Sequence, residues 1–315
     1  MPATKSHREL GSFLDRETSA PIPRPADYWV ERLRAMPGAV AVLFYGSGLR
    51  THAPDSPLVY DFYVLVHRYR DFAPGLRMAV AGTLVPPNVY YFEEQIGQEW
   101  LRCKAAVLTV SQFCSEAGSK AFTPHIWARF CQPCRIPFVE DAALRARLIA
   151  ALARCVITFH RHTLHLVQSC SVAGFWSEGL RSTYGDEIRS EKSTRGLAIF
   201  SDNKESFLMR TRLALQVLAE IGALDEQGNV HSQIPVGQKQ AHRRKLRWTR
   251  PLKKAVIVLR LCKAAFSFRG GLEYARWKVE RHSGVRLEVS DFQRRHPMLG
   301  GMVLYLQAAR RGGLR

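Results

Sequence analysis

AVAVLFYGSGLRTHAPDSPLVYDFYVLV, residues 39–66, consists of two apolar runs rich in β-branched and aromatic side chains, parted by a small-residue turn and a polar loop. The first run closes on Gly46, Ser47 and Gly48, which predicts a buried strand ending in a tight turn. The second predicts a neighbouring strand that Asp61 opens. Small residues let a backbone approach a phosphate closely, Ser47 adds a hydroxyl, and an aspartate on the next strand can hold magnesium between itself and those phosphates. Gly46, Ser47 and Gly48 are therefore the expected phosphate and nucleotide contacts, with Asp61 as the reactive carboxylate and metal ligand.

Upstream, residues 1–24 are polar and end in APIPRP, which predicts an extended, flexible arm. Asp27 to Met36 reads as a short helix stopped by Pro37 and Gly38. Downstream, Met78 to Leu84, Val89 to Phe92 and Ala105 to Val110 read as further strands. Many strands with few long helices between them predict an α+β mixed sheet over residues 25–140. From Asp141 the pattern becomes a long Ala- and Leu-rich helix, and a helix-rich domain over 141–235 follows, with a second helix from Glu205 to Ile221. Residues 223–242 read as a linker marked by Gly228, Pro235 and Gly237, and 236–315 as a basic helical C-terminal region.

The formal charge of +19 is concentrated at that end. From Lys239 onward, twenty Lys and Arg face only Glu273, Glu280, Glu288 and Asp291, a net of +16. Such a surface attracts anionic polymers or anionic lipid head groups, and composition does not choose between them. On the helix predicted from Leu252 to Phe268, Lys253, Lys254, Arg260 and Lys263 lie on one side and Val256, Leu259 and Phe266 on another, which suits a core helix and a membrane-surface helix equally. Met298 to Ala309 is a second apolar stretch. No apolar run approaches the ~18 residues that span a bilayer. Seven cysteines without regular spacing predict free thiols and a reducing compartment. The first residues lack the apolar core of a secretory signal, and Glu9, Asp15 and Glu17 argue against a mitochondrial transit peptide.

A glycine turn followed by a strand aspartate is the layout of a nucleotidyltransferase site, in which the second strand usually carries Asp-x-Asp or Asp-x-Glu. Here Tyr63 stands in the second place. Phe44-Tyr45-Gly46-Ser47-Gly48 with Asp61-Phe62 resembles the mitochondrial-type phosphatidate cytidylyltransferases, the translocator assembly and maintenance family of CDP-diacylglycerol synthases. Lys104-Ala105-Ala106-Val107-Leu108 is similar to that family's Lys-Tyr-Gly-Val-Ile strand, and Ala128-Arg129-Phe130-Cys131-Gln132-Pro133 to its Gly-Arg-Leu-x-Lys-Pro motif. Thr183-Tyr184-Gly185-Asp186-Glu187-Ile188-Arg189-Ser190-Glu191 resembles its Ser-Tyr-x-Gly-Asp-x-Arg segment, and Phe268 to Tyr274 its glycine-containing C-terminal helix. Ala128, Gln132 and His67 depart from the family pattern.

The resemblance implies a nucleotidyltransferase domain, a winged-helix-like domain and a C-terminal helical segment. It implies the reaction of CTP with phosphatidate to give CDP-diacylglycerol and pyrophosphate, with Mg2+, at an anionic membrane. The enzyme would sit peripherally on the inner face of that membrane, which in a eukaryote is the matrix side of the inner mitochondrial membrane. Lys104, Arg129, Asp186 and Arg189 would join Asp61 as catalytic residues, and Glu191 would join it on the metal. Because Tyr63 removes one carboxylate, another acid is needed. Asp186, Glu187 and Glu191 are the candidates by motif, and Glu93 and Glu94 by position near a strand. The alternatives are a nucleotidyltransferase that acts on or binds nucleic acid, using the same turn and the basic tail, and a non-catalytic peripheral membrane homologue.

Two further patterns read as structural. Cys131-Gln132-Pro133-Cys134 has CxxC spacing with no second pair to complete a zinc site. His160, His162 and His165 share one helix, but residues two apart on a helix point away from each other.

Overall fold

The computed structural model describes residues 4–49, 59–72, 82–97, 99–184, 199–267 and 290–295, together with positions 303 and 307. Five strands form the central sheet: β1 (Ala39–Tyr45), β2 (Val59–Val66), β3 (Asn88–Ile96), β4 (Glu99–Thr109) and β5 (Cys134–Val139). Their order is β3-β4-β2-β1-β5, with β2 and β4 parallel and every other pair antiparallel. The sheet is thus mixed and the fold α+β.

β2 is central and apolar on both faces, as expected of a strand covered on both sides. Tyr60, Phe62, Val64 and Val66 pack with Trp29, Val30 and Leu33 of α2 (Arg24–Arg34) on one face. Tyr63 and Leu65 face the larger core, into which α4 (Val110–Glu116), α5 (Trp127–Phe130) and α6 (Ala142–Leu164) also pack. α3 (Tyr69–Phe72) follows β2. Of the strand expected at Met78 to Leu84, residues 82–84 are helical, and the rest lies outside the described residues.

The first 24 residues correct the sequence reading. α1 (Lys5–Thr18) is a helix whose Leu10, Leu14 and Thr18, four residues apart, are buried in the larger core. That spacing makes a narrow apolar stripe on an otherwise polar helix. APIPRP breaks the chain only after Thr18, so its extended character does not reach back to residue 5.

The helix predicted from Asp141 is α6, and the Asp141 carboxylate caps it by accepting from Leu144 N at 2.7 Å. It is followed by β6 (Ser169–Ser171), α7 (Val172–Tyr184), α8 (Lys204–Val217), and the hairpin β7 (Gly222–Leu224) and β8 (Asn229–Ser232). These three short strands form an antiparallel sheet in the order β6-β8-β7. The supposed linker over 223–242 is therefore this hairpin and the start of α9 (Val236–Ser267). Phe159, Trp176 and Phe207 belong to the same apolar cluster as Tyr63, Leu108 and Phe130, so one core crosses the boundary placed at residue 140. Among the described residues α10 (Asp291–Arg295) follows α9, and positions 303 and 307 are also helical.

Gly179 lets α7 approach α6 closely: a Cβ there would lie 2.3 Å from Thr163 Oγ1 and 2.4 Å from Phe159 Cζ. The Phe159 ring is stacked on Trp176 at 4.4 Å and has no room to yield. Gly179→Ala is expected to destabilise the chain by about 1–3 kcal/mol, the usual cost of overpacking a core. Denaturant melts check this, and a melting curve unchanged from wild type would show that the two helices part freely.

Candidate functional site

β1 ends at Tyr45, and the chain turns at Gly46 with φ +85°, into a short 3-10 turn over Gly46–Leu49. Left-handed backbone of this kind costs glycine little and other residues considerably more. A Cβ on Gly46 would stand 3.4 Å from Asp61 Oδ2, so the aspartate carboxylate lies directly against the turn. A Cβ on Gly48 would meet the rings of Phe44 and Tyr60 at 2.9 and 3.0 Å. The two glycines thus seat the turn on the ends of β1 and β2, with Gly46 exposed, Ser47 half-buried and Gly48 buried.

The register sets the neighbours of Asp61. Reading across the sheet, Tyr91, Lys104, Asp61, Tyr45 and Cys134 form one row. Adjacent strands lie about 4.8 Å apart, so Lys104 and Tyr45 flank Asp61 directly. Of the residues expected to act together, the structure therefore joins Gly46, Ser47, Gly48, Asp61 and Lys104.

Tyr63, one row on and on the same face, is 2% exposed. Its ring lies 5.4 Å from Tyr45 and 5.1 Å, edge-on, from Phe130. The place of the second carboxylate is filled by a packed aromatic. Phe130 brings α5 over this face, and Arg129 precedes it, with Nη1 donating to His125 O at 2.7 Å. Gln132, in the place of the family lysine, donates Nε2–H to Ala128 O at 2.8 Å.

Glu93 shares the face with Asp61 but lies two strands away. It accepts from Arg102 Nη2 at 2.8 Å and from Tyr91 Oη at 3.2 Å. Glu94 points the other way, to Arg32 and the Tyr28 hydroxyl of α2. Both acids are committed elsewhere, so neither replaces the missing carboxylate. Asp186, Glu187, Arg189 and Glu191 lie outside the described residues, as does the segment Phe268 to Tyr274.

Cys131 and Cys134 are buried, and burial raises both thiols, Cys134 to about 12. Thiols held this far from ionisation pack as small apolar groups. His160 Nδ1 lies 2.8 Å from Val156 O inside the core, while His162 lies 3.1 Å from Ser182 Oγ and 3.2 Å from His242 Nε2 of α9. His160 is thus set apart, while His162 and His165 both meet the ring of His242, at 5.1 and 4.5 Å between centroids.

Sequence reasoning missed one group beside Tyr63: Glu116, Thr123 and His125 around the end of α4 and the start of α5, met by Arg260 from α9. Arg260 Nη1 donates to Thr123 Oγ1 at 3.0 Å. Burial, then the charges of Arg260 and Arg129, keep His125 well below the usual imidazole range and hence neutral. The available signal was the spacing of Lys239, His242, Lys253 and Arg260, which lie 3, 11 and 7 residues apart and so share one helical stripe.

No protein-family model matches the sequence, and no curated protein matches it. Among solved structures, a nucleotidyltransferase-like protein from Exiguobacterium sibiricum 255-15 is similar over 91% of this chain and 90% of that one, at 12% identity and a TM-score of 0.23. A superposition that loose carries no argument about chemistry.

Proposed function

We propose that the chain is a nucleotidyltransferase, and that it joins the CMP part of CTP to the phosphate of phosphatidate at the surface of an anionic membrane. The observation that carries the reading is the Gly46 turn set against the Asp61 carboxylate with Lys104 beside it. In such a transfer an acceptor phosphate oxygen bonds to the α-phosphorus and the bond to pyrophosphate breaks. What the protein supplies is position and opposite charge for the oxygens that become more negative. The turn lets its backbone reach the phosphates, and Lys104 adds a point charge.

Asp61 fits magnesium, which is commonly held by one or two carboxylates and completed by substrate phosphates. Among the described residues no group of three or more His, Cys, Asp or Glu is placed to hold a metal by itself. When bound, magnesium would supply Lewis-acid neutralisation of the phosphate oxygens. The choice of CTP and phosphatidate rests on the motif resemblance, and the order of α6, β6, α7, α8 and the β7-β8 hairpin supports the winged-helix-like part of it.

The membrane part is supported by the outer face of α9. Trp248, Leu252 and Leu259 lie on one side of the helix and are 77%, 64% and 53% exposed. Exposed arginines, Arg244, Arg247 and Arg250, surround them. No helix of the described residues is long and apolar enough to cross a membrane. An apolar stripe set among arginines suits the interface of an anionic bilayer, where each basic residue contributes about 1 kcal/mol. An RNA acceptor is the second reading, favoured by the same exposed indole, since bases stack on aromatic rings set among cations.

The test is labelled CTP with magnesium and either phosphatidate vesicles or RNA, scoring CDP-diacylglycerol against labelled RNA. Neither product from a folded chain overturns the transfer reading, and labelled RNA alone moves the acceptor to nucleic acid. Flotation with anionic and neutral vesicles tests the surface. We expect salt-sensitive binding to anionic vesicles and, in the Trp248→Ala, Leu252→Ala, Leu259→Ala variant, loss of the part that resists salt. Equal flotation of that variant and wild type would remove α9 from the membrane contact.

A further inference from the structure

α9 turns its polar stripe inward. Lys239 donates to the Gln168 side chain, and His242 meets His162 as a neutral imidazole, held at about 4 by burial and then by His165, Lys245 and Lys253. These residues have partners that account for their burial. Arg260 differs, for its Nε–H is buried and has no hydrogen-bond partner among the described residues. The same is true of His125 Nε2, on a side chain 10% exposed whose Nδ1 lies 2.9 Å from Thr123 Oγ1. Glu116 Oε2, also buried without a hydrogen-bond partner among the described residues, lies 3.8 Å from His125 Nδ1. Three unsatisfied polar atoms around one threonine are costly unless something fills their capacity.

We propose that Arg260 and His125, with Arg129, bind the phosphate group of the acceptor, a phosphate monoester, beside Asp61. The proposal rests on the nucleotidyl-transfer reading and adds a residue of α9 to that site. Thr123 accepts from one nitrogen of the Arg260 fork, so the edge made by Nε and Nη2 is the one that donates to two phosphate oxygens. With Nδ1 taking the Thr123 hydroxyl proton, a neutral His125 presents Nε2–H to a third oxygen. Arg129 acts electrostatically on both His125 and Arg260, which puts a second guanidinium in the same place. Burial raises the Glu116 carboxyl above its ordinary value, and the charge of Arg260 opposes this.

Tyr63 makes sense in this arrangement. A carboxylate at that position would hold a cation one row from Asp61, whereas Tyr63 removes the negative charge and itself lies within electrostatic reach of Arg260. The positive charge that a second metal ion brings to phosphate transfer is here carried by the chain, on a guanidinium. The departure from Asp-x-Asp and the inward arginine of α9 are then one change, not two.

Titration calorimetry of the full chain without nucleotide or divalent ions tests this, with inorganic phosphate, dihexanoyl phosphatidate below its micelle concentration, and CTP as separate probes. Arg260→Gln is expected to weaken phosphate-group binding about tenfold or more, as loss of charge-assisted hydrogen bonds does. Arg260→Lys should recover part of it, and Arg147→Gln, an exposed charge on α6, should change it less than about twofold. Tighter binding of the short lipid than of inorganic phosphate identifies a lipid phosphate as the source. A loss confined to CTP overturns the acceptor assignment. Unchanged affinities in Arg260→Gln, an equal loss in Arg147→Gln, or no binding of either monoester by wild type overturn the site. Should the monoesters bind through Arg260 while wild type transfers no nucleotide to any acceptor, the transfer reading fails and the phosphate site stands.

Discussion

Asp61→Asn is expected to lower nucleotidyl transfer more than about a hundredfold, ~2.7 kcal/mol in barrier, while the fold is kept. The substitution is nearly isosteric, so β2 retains its pairing with Lys104 on β4 and Tyr45 on β1. What is lost is the negative charge set against Gly46. Among the described residues no other acid takes its place: Tyr63 is an aromatic packed on Phe130, Glu93 is tied to Arg102, and Glu94 lies on the opposite face. Changes that merely disturb the partners of a metal ligand cost about 10–100-fold, so loss of the ligand itself should exceed that range. Circular dichroism and a thermal melt would establish the fold, and labelled CTP the rate. A folded variant within about threefold of wild type would dismiss Asp61 as the reactive carboxylate, because less than 1 kcal/mol of barrier would then depend on it.

The part of the site lying on one sheet could be read from the sequence because strand parity is strict. Once Gly46 closes a strand and Asp61 opens its neighbour, the side chains at 61 and 63 must share a face. Lys104 was named only through a motif resemblance, and it is the pairing of β2 with β4 that makes it the direct neighbour of Asp61. Parity also separates Glu93 from Glu94, which sequence proximity alone had left equivalent.

Long-range packing was not legible in the same way. Leu10, Leu14 and Thr18 form a narrow stripe, and only the presence of α6 and α8 makes it a buried face. The terminal prolines were the louder signal and were extended too far. On α9, Leu252 and Leu259 point outward while Lys253 and Arg260 are partly buried, the reverse of what a hydrophobic-inside rule predicts. That reversal depends on Thr123, His125 and Gln168, which are 71 to 137 residues away in sequence from their α9 partners. Periodicity showed the two faces without showing which one turns inward.

The same kind of distant pairing sets the second large effect, at Arg210. This side chain is fully buried, and its guanidinium donates to Glu17 Oε1 at 2.7 Å and to Cys131 O at 3.0 Å, with Ser206 and the other Glu17 oxygen also in contact. It binds α1, α8 and the end of α5 into one core. Arg210→Met is expected to cost about 3–5 kcal/mol at neutral pH, because the Glu17 carboxylate is left buried without its counterion. Burial alone would raise Glu17, but the charge of Arg210, and the hydrogen bonds from it and Ser206, hold it below the ordinary 4.5. A carboxyl depressed in the folded state contributes stability that is complete above 4.5 and is lost as pH falls through the folded value. In Arg210→Met burial, the largest influence, is opposed only by the Ser206 hydrogen bond and the charge of Arg135; the carboxyl is then expected to rise above its unfolded value and the dependence to change sign, so acid relieves the variant. The gap between wild type and Arg210→Met should therefore be widest near neutrality and narrow toward about pH 4, and Glu17→Gln in the Arg210→Met background should recover part of the loss by removing the orphaned charge. Denaturant melts of the three chains at both pH values measure this. A gap that stays constant with pH would mean that Arg210 acts through packing and its bond to Cys131 alone.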